Sequence, residues 1–277
     1  MNRTRTLVTA GAIAVALTLP LGPANAGSNQ SSSGGHSGGY AVGLAGGKTL
    51  VAFDLAKPGR PAGSGKVTGL TGDTSLVGID FRVQDKQLYG VGDAGGVYTL
   101  SSKAKATKVS QLTVALSGSR FGVDFNPAAD RLRVVSDTGQ NLRHDVNPGG
   151  ATIADGTLTY PPATTPASGI SAAAYTNNDL DAATATTLFD LDTAMDQVAV
   201  QAPANAGSLS ATGKLGVDAG SDAGFDIAGT GNRGWAALSV GGTYRLYSVE
   251  LLTGRVTSKG SFPRSLQVSD LAVPIGK

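Results

Sequence analysis

A four-residue pattern returns along this chain at a near-constant interval. Gly78-Ile79-Asp80-Phe81 recurs as Gly122-Val123-Asp124-Phe125 and as Gly224-Phe225-Asp226-Ile227, with a weaker copy in Ala172-Ala173-Ala174-Tyr175. Positions 80, 124, 174, 226 and finally Asp270 are separated by 44, 50, 52 and 44 residues. Self-similarity with a period of about 40–50 residues is the mark of stacked supersecondary units, and four-stranded propeller blades have this length. After Tyr40 no stretch carries the 3.6-residue apolar period of a helix. Apolar residues instead come in short β-branched or aromatic runs broken by Gly, Asp, Asn and Pro, which reads as strand and turn.

Each repeat continues in the same order. Second strands are predicted over 87–93, 131–136 and 235–240, each ending in a Gly-rich turn, and third strands over 97–100, 141–146, 187–191 and 244–249. Fourth strands are predicted over 108–112, 152–158, 198–200 and 255–259. The fourth repeat is degenerate, with a short second strand near 182–185 and a long loop over 201–221. The chain ends do not complete a repeat: 40–44, 49–55 and 66–70 read as second, third and fourth strands with no first. Residues 268–273 supply a first strand alone, with Val268, Leu271 and Val273 expected to be buried. The fold class expected is therefore all-β, a five-bladed β-propeller in which the C-terminal strand closes the first blade and leaves no open sheet edge. An open sandwich of duplicated hairpins does not require this spacing, and no sequence is left over for a sixth blade.

The start of the chain reads differently. Arg3 and Arg5 precede an apolar run over 7–17, then Pro20, Gly22 and Pro23, then Ala24-Asn25-Ala26. This is the layout of a secretory signal peptide over 1–26, too short and broken for a membrane span of roughly 20 apolar residues. Residues 27–39 are Gly, Ser, Asn, Gln and His only, a linker with nothing to repay ordering. Residues 40–277 form the expected single propeller domain. The expected location is secreted or extracellular, with no stable membrane anchor once the signal is cleaved.

Removing 1–26 takes away two arginines and no acid, so 22 basic and 20 acidic residues become 20 and 20. A near-neutral domain without a basic patch argues against nucleic acid and anionic membranes as partners. The absence of cysteine excludes disulfides, thiolate catalysis and cysteine zinc sites. Glu250 is the one glutamate; every other acid is Asp, a turn-former, in a chain with 40 glycines.

The stretch Arg120-Phe121-Gly122-Val123-Asp124-Phe125-Asn126-Pro127, continued by Asp130-Arg131-Leu132-Arg133-Val134-Val135-Ser136-Asp137-Thr138-Gly139-Gln140-Asn141-Leu142-Arg143, resembles the bacterial family known as domain of unknown function 4394. The resemblance runs over most of Tyr40 to Pro274, including 77–81 and 187–192. It implies an exported, propeller-like protein, and carries no activity, cofactor or catalytic residue.

Asp80, Asp124, Asp226 and Asp270 lie on the expected innermost strands. They are either a ring of carboxylates able to hold a cation such as Ca²⁺ or a polar ligand, or acceptors for hydrogen bonds from the neighbouring blade. Ala174 interrupts the ring. The third repeat gathers donors: Arg120, Arg131, Arg133, Gln140, Asn141, Arg143 and His144, with Asn126 nearby. Asp80, Asp124, Asn126, Arg131, Arg133, Asn141 and Arg143 are the candidate ligand-binding set, with inter-blade ion pairs to Asp130, Asp137 and Asp145 as the competing reading. His144 has no evident Ser or Cys partner in a nucleophile motif, and one histidine cannot build a multi-histidine metal centre. Trp235 reads as core, and the Asp-rich stretches 179–181, 190–196 and 218–222 as turns rather than calcium loops. No catalytic residue is assigned, and no cofactor other than Ca²⁺ is suggested. The reading favours a non-catalytic binding or interaction domain for an extracellular glycan or protein. A secreted hydrolase using channel aspartates, with or without a metal, is the alternative, and a structural envelope protein a third.

Overall fold

The computed structural model describes residues 39–275 except 182. The expected signal peptide, and the expected linker apart from Gly39, lie outside the described residues. The first blade takes β1 (Tyr40–Ala45), β2 (Thr49–Asp54) and β3 (Gly63–Lys66). The second is β4 (Leu76–Phe81), β5 (Leu88–Gly92), β6 (Gly96–Leu100) and β7 (Ala106–Gln111). The third is β8 (Phe121–Asn126), β9 (Arg131–Ser136), β10 (Asn141–His144) and β11 (Thr152–Ala154). The fourth is β12 (Ile170–Tyr175), β13 (Leu188–Asp192), β14 (Gln197–Gln201) and β15 (Leu209–Lys214), and the fifth β16 (Ala219–Ala228), β17 (Arg233–Val240), β18 (Thr243–Val249) and β19 (Val256–Ser261).

The last strand, β20 (Val268–Ala272), adds antiparallel to β1, pairing Leu44 with Asp270 and Val42 with Ala272. The first blade is thus a four-stranded sheet ordered β20-β1-β2-β3, and the protein is a five-bladed β-propeller closed by its C-terminal strand. The innermost strands β20, β4, β8, β12 and β16 touch in sequence and return to β20. The core confirms the ring. Five apolar clusters fill the five junctions between blades, one at each. The cluster joining the fifth blade to the first, with Trp235, Leu246 and Phe53, takes Val268 and Leu271 from β20.

The repeated glycine has a steric cause. A Cβ at Gly122 would lie 2.4 Å from the Ala173 backbone nitrogen, and one at Gly224 would lie 2.3 Å from the Asp270 Cα. Only a residue without a side chain lets neighbouring inner strands come this close.

Several sequence expectations need correction. Leu188–Asp192 is the second strand of the fourth blade, not the third, and Gln197–Gln201 is its third, not its fourth. No strand forms over the described part of 182–185, and the expected loop over 201–221 contains the outer strand β15. In the first blade the outer strand is Gly63–Lys66 rather than 66–70, and Val67 lies in the core at the junction with the second blade. Both missed strands are edges: β3 carries no buried residue and β15 only Leu209, so neither shows an apolar alternation. Val273 is half-buried, and Ala272 takes the buried place expected of it.

Candidate functional site

The repeated aspartates act first as clips between blades. Asp80 Oδ2 accepts the Phe125 N–H of the next inner strand at 2.8 Å, and Asp124 Oδ1 accepts that of Tyr175 at 3.1 Å. Asp226 Oδ2 accepts from Val273 N–H, and Asp270 Oδ2 from Ile79 N–H at 2.8 Å. By this pattern the residue at 174 would accept the N–H of Ile227. Alanine cannot, and Asp226 Oδ1 takes that N–H itself at 2.5 Å.

The clips also expose a shift in register. Gly122 lies against Ala172 and Asp124 against Tyr175; Gly224 lies against Asp270 and Asp226 against Val273. By that correspondence Ala272, not Asp270, is level with Ala174, and Asp270 sits two residues back along the axis. Asp80, Asp124 and Asp226 therefore converge, each offering a carboxylate oxygen within 4.8 Å of the others. All three are less than 5 % exposed.

Burial and mutual repulsion push these acids up. Desolvation raises Asp80, Asp124 and Asp270 well above the usual carboxylate range, and Asp226 to about 6. A carboxyl raised above its unfolded value stabilises the fold while protonated, and that stabilisation is lost as pH climbs through the folded value. For Asp226 the rise from 3.8 to about 6 corresponds to about 3 kcal/mol. In the presence of a chelator, the protein is expected to lose stability as pH rises from 3.8 to about 6, the interval between the ordinary and the folded value of Asp226. His144, which burial holds below its ordinary value, acts in the opposite sense, losing stability as pH falls. The Asp226→Asn variant isolates the effect: its stability curve against pH, from urea melts, should be flatter than that of the parent. Parallel curves would show that burial does not raise Asp226 in the fold.

The donor-rich third repeat does not form one site. Arg133, buried, gives hydrogen bonds to Asn141 Oδ1, Asp155 Oδ2 and Asn205 Oδ1, each at 2.7 Å, and to the Tyr175 hydroxyl at 3.2 Å. Arg143 meets the other oxygen of Asp155 at 2.9 Å, and Asn141 donates to the Gly156 and Ala204 carbonyls. Arg133 and Asn141 knit the third blade to the fourth, and Arg143 steadies Asp155 within the third. Arg131 pairs with Asp145 at 3.1 Å, and Asn126 accepts the Ala129 N–H in a turn. Of the other acids expected to pair, Asp130 binds Arg82 of the second blade, while Asp137 accepts from Ser119. Asp80 and Asp124 lie apart from this set, at the axis.

His144 does have a serine partner: its Nε2 is 2.7 Å from Ser110 Oγ and its Nδ1 2.9 Å from Thr152 Oγ1. The imidazole is fully buried and joins the second blade to the third, with a hydroxyl where a catalytic triad has a carboxylate. Trp235 lies in the core.

An open site forms where no repeat pattern pointed. The residues entering the inner strands surround the mouth of the axis in a cavity of about 260 Å³, lined among others by Ser75, Ser119, Arg120, Ser171, Asp222 and Ser269. Ser171 Oγ is buried without a hydrogen-bond partner. Arg120 Nε lies 3.0 Å from Asp222 Oδ1 but is not aligned to donate to it, and is likewise left without an acceptor. Asp222 is held from behind by the Tyr244 hydroxyl at 2.6 Å. The mouth thus presents a guanidinium, a carboxylate and the free Ser171 hydroxyl around one opening, while the Ser75, Ser119 and Ser269 hydroxyls donate to Asp93, Asp137 and the Leu44 carbonyl. A cavity of about 360 Å³ between the fifth and first blades, lined by Tyr244, Arg264 and Gln267, has no such orphaned polar atom among the described residues.

With this geometry in hand, comparison with known proteins decides the family. A profile of the family described as Domain of unknown function (DUF4394) matches residues 49–272. The chain belongs to this family. No curated protein sequence matches the DUF4394 chain. Among solved structures it is similar to one from a nidogen/laminin complex, at 10% identity and TM-score 0.46 over 86% of each chain. It is also similar to a protein of unknown function from Bacteroides thetaiotaomicron, at 15% identity and TM-score 0.46 over 80% of this chain and 58% of that one. TolB from Acinetobacter baumannii gives 15% identity and TM-score 0.46 over 80% and 52%. The DUF4394 chain thus spans little more than half the length of the latter two. Among the described residues no helix is long and apolar enough to cross a membrane.

Proposed function

We propose that this DUF4394 propeller is an exported, non-catalytic binding domain of the bacterial cell exterior that takes a polar ligand at the mouth of its axis. The observation that carries the reading is the buried, unpartnered Ser171 Oγ in the mouth cavity, beside the unsatisfied Nε–H of Arg120. Buried polar atoms are normally paired, so an orphan lining an opening marks a place for an outside partner. A donor, an acceptor and hydroxyls around one opening match a neutral polyhydroxyl compound better than an ion of either sign. The volume of about 260 Å³ falls below the roughly 300–1,000 Å³ of pockets that enclose a whole drug-sized ligand. It suits one terminal sugar unit of an extracellular glycan. Export rests on the leader-like residues 1–26, and the non-catalytic reading on the burial of the axial acids beneath backbone contacts.

The test is calorimetry with a panel of mono- and oligosaccharides. A hit should weaken at least about tenfold in Arg120→Ala, the loss of one charge-assisted hydrogen bond. The fold should survive, because the Arg120–Asp222 pair is more than a third exposed on the arginine side and worth little. Millimolar glycans that release no heat, or an Arg120→Ala variant that binds as well as the parent, would reject the mouth as a sugar site.

A further inference from the structure

We propose that Asp80, Asp124 and Asp226 together hold one hard divalent cation, Ca²⁺ by preference, on the propeller axis. Three observations converge. The three carboxylate oxygens lie within 4.8 Å of one another, so some point lies within about 2.8 Å of all three, close to the 2.3–2.6 Å of Ca–O bonds. Asp124 Oδ1 is taken by the Tyr175 N–H, whereas Asp124 Oδ2 is buried and has no donor, so this acid keeps one oxygen free for a ligand. No arginine, lysine or histidine forms an ion pair with any of the three among the described residues.

The last point separates this cluster from the other buried acid of the chain with a known counter-charge. Asp155, equally enclosed, is gripped by both Arg133 and Arg143. At the axis the inter-blade N–H groups supply dipoles but no positive charge. The donor set is oxygen only; there is no cysteine in the chain, and His144 is committed between the second and third blades. Oxygen donors select hard cations, and the protein's three leave coordination positions for water or carbonyl oxygen, as Ca²⁺ with its six to eight ligands allows. Mg²⁺ demands a tighter octahedron and gives up its waters reluctantly, so it should bind more weakly. The cation would tie the second, third and fifth blades together across the axis, which the Ala174 and Ala272 positions cannot do.

The experiment uses the full chain stripped with a chelator and returned to metal-free buffer. Calorimetry with CaCl₂ should give one site per chain, and at about a hundredfold excess over Kd the melting temperature should rise by roughly 5–10 °C. Asp124→Asn keeps an acceptor for Tyr175 N–H but removes the charge, and should weaken Ca²⁺ at least tenfold. A crystal soaked in Tb³⁺ should show an anomalous peak between the three carboxylates, which decides the matter even where the variant fails to fold. No heat and no shift with Ca²⁺ in the parent, equal binding in Asp124→Asn, or an anomalous peak away from the axis would each overturn the assignment. None of these results bears on the mouth cavity, whose sugar test reads Arg120 instead.

Discussion

Deleting residues 268–277 should abolish cooperative folding. The loss is larger than that of an ordinary strand because β20 works on three sides at once. It is the inner strand of the first blade, pairing with β1 from Val42 to Ala45. It fills the junction with the fifth blade through Val268 and Leu271, both at most 1 % exposed. It also carries two axial clips, Asp270 to Ile79 and Asp226 to Val273. Burial of the two aliphatic side chains alone stabilises by about 3–6 kcal/mol, at about 1.5–3 kcal/mol each. That approaches the 5–15 kcal/mol of a typical domain before the edge of β1 and the open junction are counted. Circular dichroism should show a broad, non-cooperative melt, and dye binding an exposed apolar face. A truncated chain with a sharp transition at the temperature of the parent would mean that the ring is not closed by its tail.

How far the fold could be read from the sequence follows from which strands have a chemical duty. Inner strands announce themselves because glycine and aspartate recur there for two reasons, close approach and clipping. Middle strands are buried on both faces and show as apolar runs, as in Leu88–Gly92. Outer strands have neither signal: Gly-Ser-Gly-Lys at β3 could be any loop. The fourth blade was misread for the same reason, since an invisible outer strand moved each visible one a place outward. Asp270 looked like the fifth member of the ring, but Val268 stands where the other strands have glycine or alanine, and the strand sits two residues out of step. The mouth was legible only in Arg120. Its other members lie at differing distances before the inner-strand landmark: five residues for Ser75 and Ser119, four for Asp222, three for Ser171. A site assembled from loops and strand starts at unequal offsets leaves no period to find.

Replacing Arg133 by alanine should cost about 3–5 kcal/mol, the usual consequence of removing one partner of a buried ion pair. Arg133 and Asp155 have side chains only 3% and 5% exposed, and their 2.7 Å contact is one of four that the guanidinium makes. The others reach Asn141 in its own blade, and Tyr175 and Asn205 in the fourth. Truncation would leave Asp155 with Arg143 alone and Asn141 Oδ1 without its strongest donor. It would also remove the positive charge nearest to Asp190, a fully buried carboxylate whose two oxygens have no hydrogen-bond partner. Asp190 is pushed up by burial and partly restrained by Arg133, so in the variant its ionisation becomes still harder. The loss should therefore grow as pH rises, in urea melts followed through Trp235. Arg133→Met keeps most of the stem and separates packing from charge. Pairing Arg133→Ala with Asp155→Asn in a double-mutant cycle should recover part of the loss, because the stranded carboxylate is then neutral. A cost below about 1 kcal/mol, or a cycle with no coupling, would mean that the network is ornamental, and that the third repeat keeps its arginine for a ligand after all.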